Sequence, residues 1–311
     1  MKSILSNAKF GSQPGARPPV AVELSPQGVL AAALPGPGQP PVFAFEPLPD
    51  GVLVPGIGEQ NLRAPELVAN AIHAALGKVS PRTRSVTLIL PDTVVHVFFL
   101  DFDSLPAKAA EAIPVLRFRL RKMIPFEVEH AGVSYQMLAE NKNECKVLAA
   151  VLPGPVLAEY EAVVREAGYE PGVVLPASLV ALGAIDSPEP VLAANLSALA
   201  LTTSITTGED LLLYRTLDLP EDPGLRLQEV QRGISVAAAY FEDKLGFHPR
   251  LLYYAGIGAG GNSTAEEFAG WINDPGLTVV DLAPRPETGM ATPLGNLVSL
   301  AGVVGALAGA A

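Results

Sequence analysis

The chain is poor in the residues that most site chemistry uses. It holds one cysteine, Cys145, and four histidines, His73, His96, His130 and His248, all far apart. A single cysteine excludes an intrachain disulfide, and no histidine or cysteine falls at metal-ligand spacing. The composition reads as that of a reducing compartment. Charge is also scarce: 17% of the 311 residues, with 21 basic against 32 acidic, for a formal net charge of −11. That balance argues against a nucleic-acid partner, whose phosphates need clustered Lys and Arg. It equally disfavours whole-surface docking onto anionic lipid. Lys2, Lys9 and Arg17 open the chain without an apolar run of useful length, so no secretory signal is expected. No Walker A string and no G-x-S-x-G elbow occurs.

Apolar residues are plentiful at 49%, which excludes global disorder and supplies a large core. The length suits about two domains. Residues 1–17 read as a flexible tail. Val20–Leu34 reads as strand, turn, strand, with Pro26 and Gly28 in the turn. A short strand is expected at Val42–Phe45, a helix over Pro65–Gly77, and strands at Val86–Leu90 and Val94–Leu100. Pro106–Ile124 has helical spacing, with a break or kink at Pro114. Strands follow at Val133–Leu138 and Lys146–Leu152, then an amphipathic helix over Pro155–Ala167. Val191–Ile205 is again strand, turn, strand, continued by Leu211–Leu217. The longest helix is Leu227–Leu245, followed by strand Leu251–Ala255, helix Thr264–Ile272 and strand Leu277–Leu282. The order suggests α/β or α+β layers.

Thr288–Ala311 carries no charge and is long enough to span a bilayer. Its many small residues, with Ala301, Gly305 and Gly309 at four-residue spacing, favour a helix buried against protein instead.

Glu23-Leu24-Ser25 in the first meander matches Asn195-Leu196-Ser197 in the second, a weak internal repeat. Gly256-Ile-Gly258-Ala-Gly260-Gly261 has the G-x-G-x-x-G pattern between strand and helix, with Ser263 and Glu266 as a capping box. Asp281 lies where a ribose-binding acid falls, yet too little chain follows for a dinucleotide domain. Nucleotide contact and a plain glycine-rich turn both remain open readings. Arg117, Arg119, Arg121 and Lys122 form a basic run beside Phe126, either a solvated helix face or a docking surface for an acidic partner or lipid headgroups. Asp101 and Asp103 fit a turn better than a metal or acid–base pair. Cys145 has no histidine near it in sequence to activate a thiolate, and Trp271 fits packing.

A larger set of strings carries a resemblance. Leu90-Pro-Asp-Thr-Val-Val95, Leu105-Pro106, Arg117-Phe-Arg119, Ile124-Pro-Phe-Glu127 and Val133-Ser-Tyr-Gln136 occur in that order. Glu229-Val-Gln-Arg232, Tyr240-Phe241 and Leu252–Gly258 follow. Together, over about residues 20–307, they resemble the PilM family of type IV pilus assembly proteins, relatives of the actin-like cell-division protein FtsA. The resemblance implies an α/β, actin-like (ribonuclease-H-like) fold of two related halves, about 18–185 and 186–311. It also implies a subdomain inserted at about 86–150. The two strand–turn–strand segments would be phosphate-binding hairpins and Gly256–Gly261 the adenosine-side loop. Members act in the cytoplasm, peripheral to the inner membrane. They bind the N-terminal tail of the membrane protein PilN and join other proteins of the pilus platform.

The sequence departs from that family at its hairpins. Asp-Ile-Gly followed by Ser or Thr is replaced by Glu23-Leu24-Ser25-Pro26-Gln27, and the second hairpin reads Asn195-Leu196-Ser197-Ala198. Both phosphate-wrapping glycines are gone, and Pro26 has no N–H. Weak or no nucleotide binding and no hydrolysis are therefore expected, with no cofactor and ATP with Mg²⁺ doubtful. If a nucleotide site persists, it comprises Glu23, Ser25, Gln27, Asn195, Ser197, Gly256, Gly258 and Gly260. Partner-binding candidates are Arg117, Arg121 and Phe126. The rival readings are a working actin-like ATPase of the pilus, with Glu23 as metal-orienting acid and Ser25 and Ser197 supplying hydroxyls, and the cytoplasmic part of a type II secretion platform protein. That protein continues through a membrane span, whereas this sequence stops at Ala311. A nicotinamide enzyme rests only on the glycine string and Asp281.

Overall fold

The computed structural model describes residues 17–36, 38–58, 60–140, 144–208, 210–256, 265–272, 274–283, 289–291 and 298–310. Most of the expected tail, Gly258, Gly260, Gly261 and Ser263 lie outside the described residues.

The chain opens with a meander, β1 (Val20–Ser25), β2 (Gly28–Ala33) and β3 (Val42–Pro47). Helix α1 (Pro65–Val79) and strand β4 (Ser85–Leu90) follow. Pro65 suits the first turn, where its missing N–H has no intrahelical partner. Val68, Ile72, Ala75 and Leu76 are buried, the 3.6-residue stripe that seats α1 on the sheet. Gly77 does not stop α1: the helix runs two residues further and Ser80 takes the left-handed cap at φ 49°. The chain then makes an excursion through β5 (His96–Phe102), α2 (Ala109–Leu120), β6 (Gly132–Glu140) and β7 (Cys145–Leu152). It returns through α3 (Gly154–Glu166), β8 (Glu170–Pro176) and the one-turn helix α4 (Ala177–Ala181).

The second half repeats the plan: β9 (Val191–Leu196), β10 (Ala200–Thr207) and β11 (Asp210–Asp218), then α5 (Pro223–Leu245) and β12 (Leu251–Gly256). Helix α6 (Ala265–Ile272), strand β13 (Thr278–Asp281) and helix α7 (Ala301–Ala308) complete it. Asp222 caps α5, its side chain accepting from the Leu225 N–H at 2.9 Å, and Gly246 closes it at φ 79°.

The two large sheets have one topology. The first runs β3-β2-β1-β4-β8 and the second β11-β10-β9-β12-β13. In each, an antiparallel meander is joined by parallel strands added beside its first strand. The excursion forms a third sheet, β5-β7-β6, backed by α2. Residues Ser85–Leu90 belong to the first sheet and the third sheet begins at His96.

Two further sequence expectations need correction. The helix does not break at Pro114: α2 runs through it to Leu120. One lost hydrogen bond is offset because Ala112, Leu116 and Leu120 on one face are fully buried against the third sheet. Arg17, grouped with the tail from sequence, is only 3% exposed. Its guanidinium donates to the Gly305 carbonyl oxygen at 3.4 Å, at the C-terminal end of α7 where a cation is favoured. Burial lowers its pKa to about 10.

Candidate functional site

A cleft between the two halves is built from their matching hairpins. Ser25 Oγ donates to the Gly28 carbonyl at 3.0 Å, and Ser197 Oγ donates to the Ala200 carbonyl at 3.2 Å. Each hydroxyl spans its own two-residue turn, so the Glu-Leu-Ser and Asn-Leu-Ser triplets occupy equivalent positions. Along the next strand, Glu23 pairs with Ile89 and Asn195 with Ala255, again in matching places. Glu23, Ser25, Gln27, Asn195, Ser197 and Gly256 all line one cavity, together with Asp92, Ala177, Ala301 and Gly302. The residues singled out from sequence are thus brought together, apart from Gly258 and Gly260, which lie outside the described residues.

Sequence reasoning missed Asp92 as a site residue. It sits just after β4, and its carboxylate collects donors from both halves. Oδ1 accepts from the Ser178 N–H at 3.0 Å and from the Tyr214 hydroxyl at 3.3 Å. Oδ2 accepts from the Ser178 hydroxyl and from Thr202 Oγ1 at 3.4 Å. Burial raises the Asp92 pKa, and these donors oppose the rise. The Tyr214 hydroxyl is held far above its ordinary pKa, first by burial and then by Asp92.

Glu23 is the converse case. It is half-buried as a residue, but its Oε2 is shut off from solvent and has no hydrogen-bond partner among the described residues. Burial, reinforced by the Asp92 charge, pushes its pKa up from 4.5 to about 8. The carboxyl therefore favours its protonated form at pH 7. Helix α7 covers it: a Cβ at Gly302 would overlap the Glu23 carboxyl. The described part of the uncharged C-terminus, residues 298–302, thus lies at the cleft. No helix among the described residues is long and apolar enough to cross a membrane.

The cleft is a poor seat for a polyphosphate. Its described lining includes the acids Glu23 and Asp92 and no Lys, Arg or His. Pro26 lacks an N–H, and the Ser25 and Ser197 hydroxyls are engaged within their turns. Among the described residues, the cleft thus supplies no side chain that would balance the charge of a nucleotide's phosphates.

The basic run is employed inside the third-sheet unit. Arg117 donates to the carbonyls of Val128 at 2.6 Å, Glu129 and Ala131 at 2.9 Å, stapling that turn to α2. Arg121 pairs with Glu129 on the surface. Phe126 tilts against His96 with ring centroids 5.7 Å apart. Cys145 is buried. Asp281 is exposed at the end of β13 and does not line the cleft among the described residues. No group of three metal-ligating side chains occurs among the described residues. A second depression runs between the third sheet and the first half, lined by Ser134, Tyr135, Gln136, Leu148 and Ala150 facing Leu175, Pro176 and Leu179.

No protein-family model and no curated protein sequence matches the chain. Solved structures do. A chain of the PilM–PilN type IV pilus biogenesis complex aligns with a TM-score of 0.74 at 19% identity, covering 96% of this chain and all of that one. A Bacteroides thetaiotaomicron protein with an actin-like ATPase fold aligns at TM-score 0.52 and 13% identity, covering 84% of this chain and 90% of that one. The cytoplasmic domain of EpsL, an inner-membrane component of the Vibrio cholerae type II secretion system, aligns at TM-score 0.47 and 17% identity, covering 76% and 81%. Two sheets of one topology meeting at paired hairpins, with a third sheet inserted after β4, are an actin-like fold, PilM-like in its arrangement.

Proposed function

We propose that the chain is a scaffold of a type IV pilus assembly platform that grips the N-terminal tail of a PilN-like membrane protein. The observation that carries this reading is the match to the PilM–PilN complex, which runs the full length of that chain and includes the inserted sheet. The groove between β6/β7 and β8/α4 is the seat for the tail. Its apolar walls, Tyr135, Leu148, Leu175 and Leu179, suit an extended peptide, and Ser134 and Gln136 supply polar groups. Arg121 and Phe126 lie on the same inserted unit and serve the partner, whereas Arg117 is occupied by its own carbonyls. The scaffold works on the cytoplasmic face of the inner membrane and meets other platform proteins there. It binds ATP and Mg²⁺ weakly or not at all and does not hydrolyse ATP, because the described lining of its cleft offers a polyphosphate no cation.

A pull-down with the cytoplasmic tail of a PilN-like protein tests this. The account expects saturable capture, weakened about tenfold in Tyr135→Ala by loss of an aromatic wall. No enrichment over a scrambled tail contradicts it. One observation favours a second reading, a working ATPase: Glu23 and Asp92 both face the cleft. Phosphate release that disappears in Glu23→Ala would select that reading.

A further inference from the structure

Helix α4 is a thin wall with a different duty at each successive residue. Ala177 lines the cleft. Ser178 donates twice to Asp92, through its N–H and its hydroxyl. Leu179 lines the groove against the third sheet. The same Asp92 carboxylate takes hydrogen bonds from Thr202 and Tyr214 of the second half. Tyr214 in turn packs in an apolar cluster with Leu148 of the third sheet, Leu179 of α4 and Leu211. The two halves therefore meet at one carboxylate, and the third sheet packs against one of its donors, Tyr214. A buried carboxylate is tolerated only while its donors stay in place. Packed junctions of this kind switch between discrete arrangements rather than deform smoothly.

We propose that Asp92 is a latch through which closure of the two halves sets the shape of the groove. Separating the halves withdraws Thr202 and Tyr214. Asp92 then shifts on Ser178, and Leu179 moves with it. Coupling between two sites is reciprocal, so an occupant that displaces Leu179 also loosens the cleft. This goes beyond the scaffold reading and requires no particular peptide.

Hydrogen–deuterium exchange on the full chain tests it. Tyr214→Phe keeps the ring in its cluster and deletes one donor to Asp92. Thr202→Val deletes another and serves should Tyr214→Phe fail to fold. The expected result is exchange at least threefold faster in three places: the β9–β10 turn, α4, and residues 133–138 of the groove wall, with α1 at its wild-type rate. A change confined to β11 overturns the latch, as does a rise that includes α1, which reports general loosening. No partner is present in the measurement, so its failure is separable from failure of the peptide reading.

Discussion

Glu23 puts a pH dependence into the fold. Unfolded, its carboxyl loses its proton near pH 4.5; folded, it holds the proton to about pH 8. Between those values the unfolded chain binds fewer protons, so stability falls as pH rises. At about 1.4 kcal/mol per pKa unit, the loss across the window is on the order of a few kcal/mol. Glu23→Gln keeps the shape and removes the proton. Denaturant melts at pH 5 and pH 8 should show the wild type losing more stability between them than the variant, by that order, with the shifted groups Asp92 and His96 common to both. Equal slopes in the two proteins would contradict the burial of this group. Glu23 and Asn195 were legible from sequence because a repeated triplet marks them. Asp92 was not, since its donors lie 86, 110 and 122 residues away. Nothing local in Leu90-Pro91-Asp92 distinguishes such a hub from a turn former.

At the scale of elements, the long amphipathic helices and alternating strands could be read directly, because their periodicity is fixed by which face is buried. Strand β8 and helix α4 could not. Pro171, Gly172 and Pro176 punctuate the run as a loop would, and only pairing with β4 makes it a strand. Helix α7 was legible as buried from its small residues, and the structure gives the reason. A Cβ at Gly305 would overlap the Val180 carbonyl oxygen on α4. Gly305→Ala should therefore destabilise the protein by about 1–3 kcal/mol, the usual effect of overpacking. Thermal melts would measure it. An unchanged or raised Tm would mean that α7 does not press on α4 as described.

For the whole molecule, the repeat visible in two triplets extends to two sheets of identical strand order. One half keeps an inserted sheet and the other does not, and the groove exists only because of that asymmetry. The likeness to a chain of the PilM–PilN complex covers both halves and the insertion, whereas sequence composition by itself only excluded classes, such as a nucleic-acid binder or a disordered chain. What sequence could not supply is the position of α7, which lies over Glu23 at the mouth where the halves meet. The central proposal is that this actin-like architecture serves as a protein-holding platform that works without nucleotide. Isothermal titration of the full chain with Mg–ATP tests that claim most directly. The account predicts no saturable heat up to millimolar nucleotide; a micromolar Kd would contradict it.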